Sequence, residues 1–252
     1  MKPIYTIKPM VLGTIAGDKS SFTYMCFAGQ PIKLEVMSFL IEGAPKKILV
    51  DTGSYASLMK NYWPGEGVDF MTMEEALAKE GLTPDDIEIV ILTHLHHDHI
   101  GYNSLFKNAE FYVQEAEWEF AMDPHPLHKQ YYPPELMQGW KKKLIRGDIE
   151  LYPGLDILLT PGHTPGTQSV AVNTKEGAAI IAGFCSLDCT FDDPKQDLPE
   201  GHPFGIWKTF TPSIATDLTE AYDSTLRVKE SADVVIAAHG DGSGKSFIGK
   251  EY

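Results

Sequence analysis

Short apolar runs rich in β-branched residues recur along this chain, and several of them stop at a histidine. "IEIVILTH" ends on His94, "LDILLT" runs into the turn that carries His163, and "ADVVIAAHGD" ends on His239. Runs this short, bounded by Gly, Pro and Asp, read as strands rather than helices. "IKLEVMSFLIE" (32–42) and "KKILVDTG" (46–53) predict a hairpin around Gly43-Ala44-Pro45, and "AEFYV" (109–113), "TQSVAVN" and "AAIIAG" are further strands. Helices are expected in "TMEEALAKEGL", which Thr72 can cap and Gly81 can end, in the segment beginning near Gln114, and across 213–231. Two β-rich halves, each followed by helix, predict two sheets packed face to face with helices outside. With no repeat or linker in 252 residues, one domain spanning 1–252 is expected.

Composition excludes several partners. A formal net charge of −14 with no offsetting basic patch argues against nucleic acid. The one basic run, Lys141, Lys142, Lys143 and Arg146, reads as the solvated face of a helix. Three cysteines (Cys26, Cys185, Cys189) do not make a disulfide framework. The opening "MKPIYTIKPMVLG" lacks an apolar signal region, and no stretch approaches the roughly 18 apolar residues of a membrane span. These features predict a reduced, cytoplasmic protein that acts on a small molecule, with no nucleic-acid or membrane partner and with a homodimer left open.

Five of the nine histidines fall where predicted strands stop: His94, His96 and His99 in "THLHHDHIGY", His163 in "TPGHTPGT", and His239 in "AAHGD". Loops at strand ends are where a rigid scaffold holds functional groups. Four histidines and Asp98 within six residues are not a packing solution, because every buried ring needs a polar partner. Imidazoles with a carboxylate are the ligands that divalent zinc, iron or manganese take. His97 reads as pointing away from the metals.

The pattern His94-x-His96-x-Asp98-His99, then His163 in a Gly-His-Thr-Pro-Gly turn, then His239, resembles the metallo-β-lactamase superfamily. "ILVDTG", with Asp51, matches that family's early Asp-Thr-Gly strand end. "GLTPDDIEIVILTHLHHDH" and "IELYPGLDILLTPGHTPGTQSV" are most similar to its N-acyl homoserine lactonase branch. The resemblance implies an α+β fold, a four-layer αββα sandwich, with two divalent metal ions at one edge of the sheets. Zinc is the expected metal, with iron and manganese as alternatives. His94, His96 and His163 would hold the first ion, and Asp98, His99 and His239 the second, with Asp51 buttressing the histidine loop. The implied chemistry is hydrolysis, in which the metals activate a water and polarise a carbonyl and Asp98 orients that water.

In the lactonase pattern an aspartate bridges both metals at the strand end after the His163 turn, and the corresponding position here is Cys185. Three readings of Cys185 stay open: a small core hydrophobe, a thiolate ligand, or a covalent nucleophile. A tyrosine that lactonases place three residues further on is Asp188 here, and Tyr102, beside the histidine loop, is the candidate to supply a hydroxyl near the metals. Two aromatic and Pro-rich segments, 122–140 and 197–210, are expected to roof the pocket, with His125, His128 and His202 outside the ligand set. The expected activity is opening of a lactone or similar small cyclic ester. Alternatives on the same site are a thioesterase, amidase or β-lactam hydrolase, and, further off, a redox or non-catalytic binding member of the superfamily.

Overall fold

In the computed structural model, which describes residues 2–252, twelve strands form two sheets. The first is built from β1 (Thr6–Asp18), β2 (Pro31–Glu42), β3 (Ile48–Val50), β4 (Gly67–Asp69), β5 (Ile89–Ile91), β6 (Glu110–Gln114) and β7 (Lys141–Ile145), in the order β4-β1-β2-β3-β5-β6-β7. The second holds β8 (Ile149–Tyr152), β9 (Leu155–Leu159), β10 (Gln168–Thr174), β11 (Gly177–Ile181) and β12 (Val234–Ile236), in the order β12-β11-β10-β9-β8. The helices are α1 (Ala56–Met59), α2 (Met73–Lys79), α3 (Glu115–Met122), α4 (Pro194–Asp197) and α5 (Leu218–Ser231).

Side-chain alternation along the strands sorts the apolar residues into layers. Phe39, Ile41, Val50 and Ile91 of the first sheet face Ile157, Val170, Val172 and Ile181 of the second in one shared core. Their neighbours Leu40, Leu49 and Val90 point the other way, onto Met73 and Leu77 of α2 and Ala121 of α3. On the far face of the second sheet, Ile180 and Ala182 pack on Val228 of α5. The result is the expected αββα sandwich.

Local chemistry explains most element ends. Thr72 and Glu75 form a reciprocal capping box at the start of α2, and Gly81 follows its end at φ +70°. The predicted hairpin is present as the antiparallel pair β2–β3. The structure corrects two readings. Lys141–Lys143 lie on the edge strand β7, paired with β6, rather than on a helix, and two of the lysines reach Glu110. Lysines on an unpaired edge discourage further strand addition. The amphipathic helix begins at Leu218 instead of 213, because the Asp217 side chain accepts from the N–H groups of Thr219 and Glu220. The thirteen-residue β1 had no clear sequence signature, since Lys8, Pro9, Gly13 and Thr14 interrupt its pattern.

The layers bring four chain segments to one rim. β3 and β5 run parallel, as do β11 and β12, and the chain leaves their ends into Asp51, His94, Cys185 and His239. Gly183, in the exit from β11, packs so tightly that an added Cβ would lie 1.7 Å from the Gln168 carbonyl oxygen. Gly183→Ala is therefore expected to destabilise the fold by about 1–3 kcal/mol or more, the usual range for overpacking, as read from the midpoint of urea denaturation.

Candidate metal centre

The histidine loop is fixed from behind by Asp51. Its Oδ1 accepts from the Thr93 N–H at 2.7 Å, and its Oδ2 accepts from the Thr93 hydroxyl at 2.8 Å and from His99 Nδ1 at 2.7 Å. Asp51 sits at φ +58°, a conformation that non-glycine residues seldom adopt. That turn aims the carboxylate at the loop after β5. Next to it, the Thr52 N–H donates to the His99 carbonyl at 2.8 Å and Gly101 N–H to the Gly53 carbonyl at 2.7 Å.

The outer nitrogens of three more rings are also occupied. His239 Nδ1 donates to the Glu35 carbonyl at 2.9 Å, His163 Nδ1 to the Ile214 carbonyl, and His94 Nδ1 lies 3.1 Å from the Thr93 hydroxyl oxygen. This assignment leaves the Nε2 of these three rings free to face inward as a lone pair. His94 Nε2 and His163 Nε2 are 3.2 Å apart, and His96 Nε2 is buried with no hydrogen-bond partner. His99 Nε2 and His239 Nε2 lie 3.5 and 3.7 Å from Asp98 Oδ2.

Two groups follow: His94, His96 and His163, and Asp98, His99 and His239, with the ligand atoms of each within 4.8 Å of one another. Each trio takes its last histidine from the second sheet and the rest from the loop after β5. Converging lone pairs without donors between them, as in the first trio, are unfavourable unless a cation sits there. A pair of divalent metal ions fits this donor set.

Electrostatics agree. Burial, reinforced by the neighbouring rings, pushes His94 and His96 well below the usual imidazole range. Burial likewise takes His163 down to about 3 and lowers His239. Burial alone would raise Asp98, yet His99, His97 and His239 around it hold its carboxyl well below the usual range. His99 is the exception: burial pulls it down, but Asp98 and Asp51 outweigh that and lift it to about 9.

The structure brings His94, His96, Asp98, His99, His163, Cys185 and His239 to one cleft. Cys185 lines it among Ile15, Phe22 and Leu34, but lies outside both trios. His97 belongs to neither trio and stacks on Tyr62, with ring centroids 5.3 Å apart. His125, His128 and His202 are outside as well.

Tyr102 is not among the residues that line the cleft; its ring packs on Tyr55, with centroids 5.2 Å apart, beside the core that holds α2. The roof expectation is half met. Tyr131 lines the cleft, whereas nothing from 197–210 does, because Trp207 stacks on Phe204 at 4.2 Å instead.

The cleft wall was not anticipated from sequence. Ile15, Phe22, Leu34, Trp63 and Ile214 supply it, from segments without a motif. Glu35 was also missed. It is fully buried in β2, its carbonyl holds His239, and its carboxylate takes the Ser246 N–H at 2.7 Å and hydroxyl at 2.8 Å. A lone acid inside the apolar run "LEVMSFLI" was the available signal.

An αββα sandwich with His and His/Asp trios at the strand ends defines a metallo-hydrolase class, and the metallo-beta-lactamase superfamily profile matches residues 32–239. The chain belongs to that superfamily. It is 30% identical over 234 residues to the N-acyl homoserine lactonase AiiA of Bacillus thuringiensis subsp. kurstaki, covering 88% of each chain. A lactonase of Bacillus sp. is 35% identical over 198 residues, 74% of this chain and 76% of that one. The crystal structure of a quorum-quenching N-acyl homoserine lactone lactonase superposes with a TM-score of 0.74 at 28% identity, covering 95% and 93% of the two chains.

Ligand histidines must be neutral to bind metal. With its pKa at about 9, His99 carries a proton at pH 7 in the metal-free protein, while the four lowered histidines do not. In that metal-free protein the His99 contribution to stability is complete below the unfolded pKa of ~6.5 and is lost as pH rises through about 9. Loading metal at pH 7 is expected to release about one proton per chain from His99, and a second where Cys185 binds as a thiolate, read as a dependence of calorimetric heat on buffer ionisation enthalpy.

Proposed function

We propose that this chain is a metal-dependent hydrolase that opens a lactone or similar small cyclic ester, as a single domain over 1–252. The observation that carries the reading is the pair of His/Asp trios in one cleft, joined to a likeness to N-acyl homoserine lactonases that runs nearly the length of the chain. A solved relative, 27% identical with a TM-score of 0.74, holds the product N-hexanoyl-L-homoserine at its catalytic metal center.

In this reading His94, His96 and His163 hold one divalent ion, and Asp98, His99 and His239 the other, with zinc preferred over iron or manganese. The pair would supply a low-pKa water and polarise the ester carbonyl. Asp98 is the residue that moves the proton. Its carboxylate is held ionised and is partly open to the cleft, so it would orient the attacking water, accept the proton that water gives up, and pass it to the departing alkoxide oxygen. Ile15, Phe22, Leu34 and Trp63 keep bulk water away and offer an apolar wall for a substrate chain.

Cys185 is read as a thiolate ligand beside the Asp98 trio. Two observations support this, its place in the cleft wall and its closeness to Asp98, and the resemblance to lactonases, which implies an aspartate at this position, agrees with them. Burial, and then the Asp98 charge, pushes the free thiol well above its usual range, so the thiolate needs the cation. Three free cysteines fit a reducing compartment, and we read the chain as cytoplasmic.

Purified protein is expected to carry about two metals per chain and to lose hydrolysis of N-acyl homoserine lactones on chelation. Assayed against lactones, thioesters, amides and β-lactams, it should turn over lactones fastest; no lactone turnover would transfer the site to another ester or amide. Cys185→Ala is expected to drop metal content by roughly one per chain, measured by inductively coupled plasma spectrometry. Unchanged content would return Cys185 to the core.

A further inference from the structure

One buried carboxylate ties together the two loops that carry the first trio. Glu117, in the first turn of α3, is fully buried and belongs to neither ligand group. Four donors converge on it. Oε1 accepts from the Leu95 N–H at 2.9 Å and the Tyr132 hydroxyl at 3.1 Å, while Oε2 accepts from the Thr164 hydroxyl and from the Gly166 N–H at 3.3 Å.

The positions of these donors matter more than their number. Leu95 lies between His94 and His96, and Thr164 directly follows His163. Gly166 comes so close that a Cβ on it would sit 2.2 Å from the Glu117 nitrogen. Tyr132, the fourth donor, meets the His96 ring edge-on with centroids 4.9 Å apart. A lone buried carboxylate is unfavourable unless its acceptors are filled, and here they are filled from both ligand loops and the segment above them.

We propose that Glu117 is the positioning residue of the His94/His96/His163 trio: it sets the separation of the two loops and thereby the ligand geometry of the first ion. This rests on the metal-dependent reading above. It divides the support between two acids, with Asp51 behind His99 and Glu117 behind the first trio.

Glu117→Gln is the direct test. However its amide is turned, an NH2 group faces the N–H of either Leu95 or Gly166, which it cannot accept. Metal-free wild type and variant would be titrated with Zn2+ by calorimetry and with Co2+ by absorption. The expected result is that one of the two ions binds about 10–100-fold more weakly and the other is unchanged. Saturating metal should restore kcat with KM little altered. In a His163→Ala background, where the first trio is already broken, Glu117→Gln should leave the remaining ion's affinity unchanged.

Thr164→Val keeps the carboxylate and removes one donor, so it decides the matter if Glu117→Gln does not fold. It should weaken the same ion by a smaller factor. The proposal is overturned if folded variants bind both ions as wild type does, or if Glu117→Gln weakens the remaining ion equally in the His163→Ala background. Wild type that binds neither Zn2+ nor Co2+ would overturn the metal-dependent reading instead.

Discussion

The three hydrogen bonds accepted by Asp51 join the end of β3 to the end of β5, and the site depends on that joint. Thr93 uses both its N–H and its hydroxyl there, so the backbone leaving β5 has one direction in which to go. His94 follows at once, and His99 is caught by the same carboxylate a turn later. The left-handed backbone of Asp51 is the strained element, and a hydrogen-bonded, buried carboxylate compensates for it. The neighbouring Thr52 and Gly53 clamp the far end of the loop, so all of "HLHHDHIG" is bounded by one short stretch of chain.

Electrostatics of the centre are dominated by burial. Five imidazoles share a space with Asp98, and most are driven neutral rather than paired. Only His99, flanked by two carboxylates, keeps a proton. The outer nitrogens of His94, His99, His163 and His239 are spent on backbone carbonyls and on the Asp51–Thr93 unit, which turns Nε2 inward. At the first trio, the free energy of holding lone pairs together without a donor would favour cation uptake.

Motif residues were legible because their chemistry is local and dense. "HLHHDH" has no packing explanation, and strand periodicity placed it at a strand end. The αββα class, the α2 cap and the β2–β3 hairpin followed from the same short-range signals. The long β1 and the cleft wall did not, since Ile15, Phe22, Trp63 and Ile214 become neighbours only through tertiary packing. Closeness in sequence to His99 does not specify which side of a turn a ring takes, and Tyr102 packs on Tyr55 rather than lining the cleft. The lysine run was misread as helix because solvated charge looks alike on a helix and on an edge strand. Glu35 and Glu117 were harder still: an acid reads as surface until the fold buries it.

Each trio draws one ligand from the second sheet and the others from the first, across 69 residues for His94 and His163. A bound ion at either trio is thus a clasp between sheets, absent from the unfolded chain. Its free energy adds to that of the hydrophobic seam by mass action, about 2.7 kcal/mol when free metal is a hundredfold above its dissociation constant. The ambient metal supply then becomes a thermodynamic variable of the whole sandwich. Starvation for metal would loosen the junction of the sheets as well as silence the cleft.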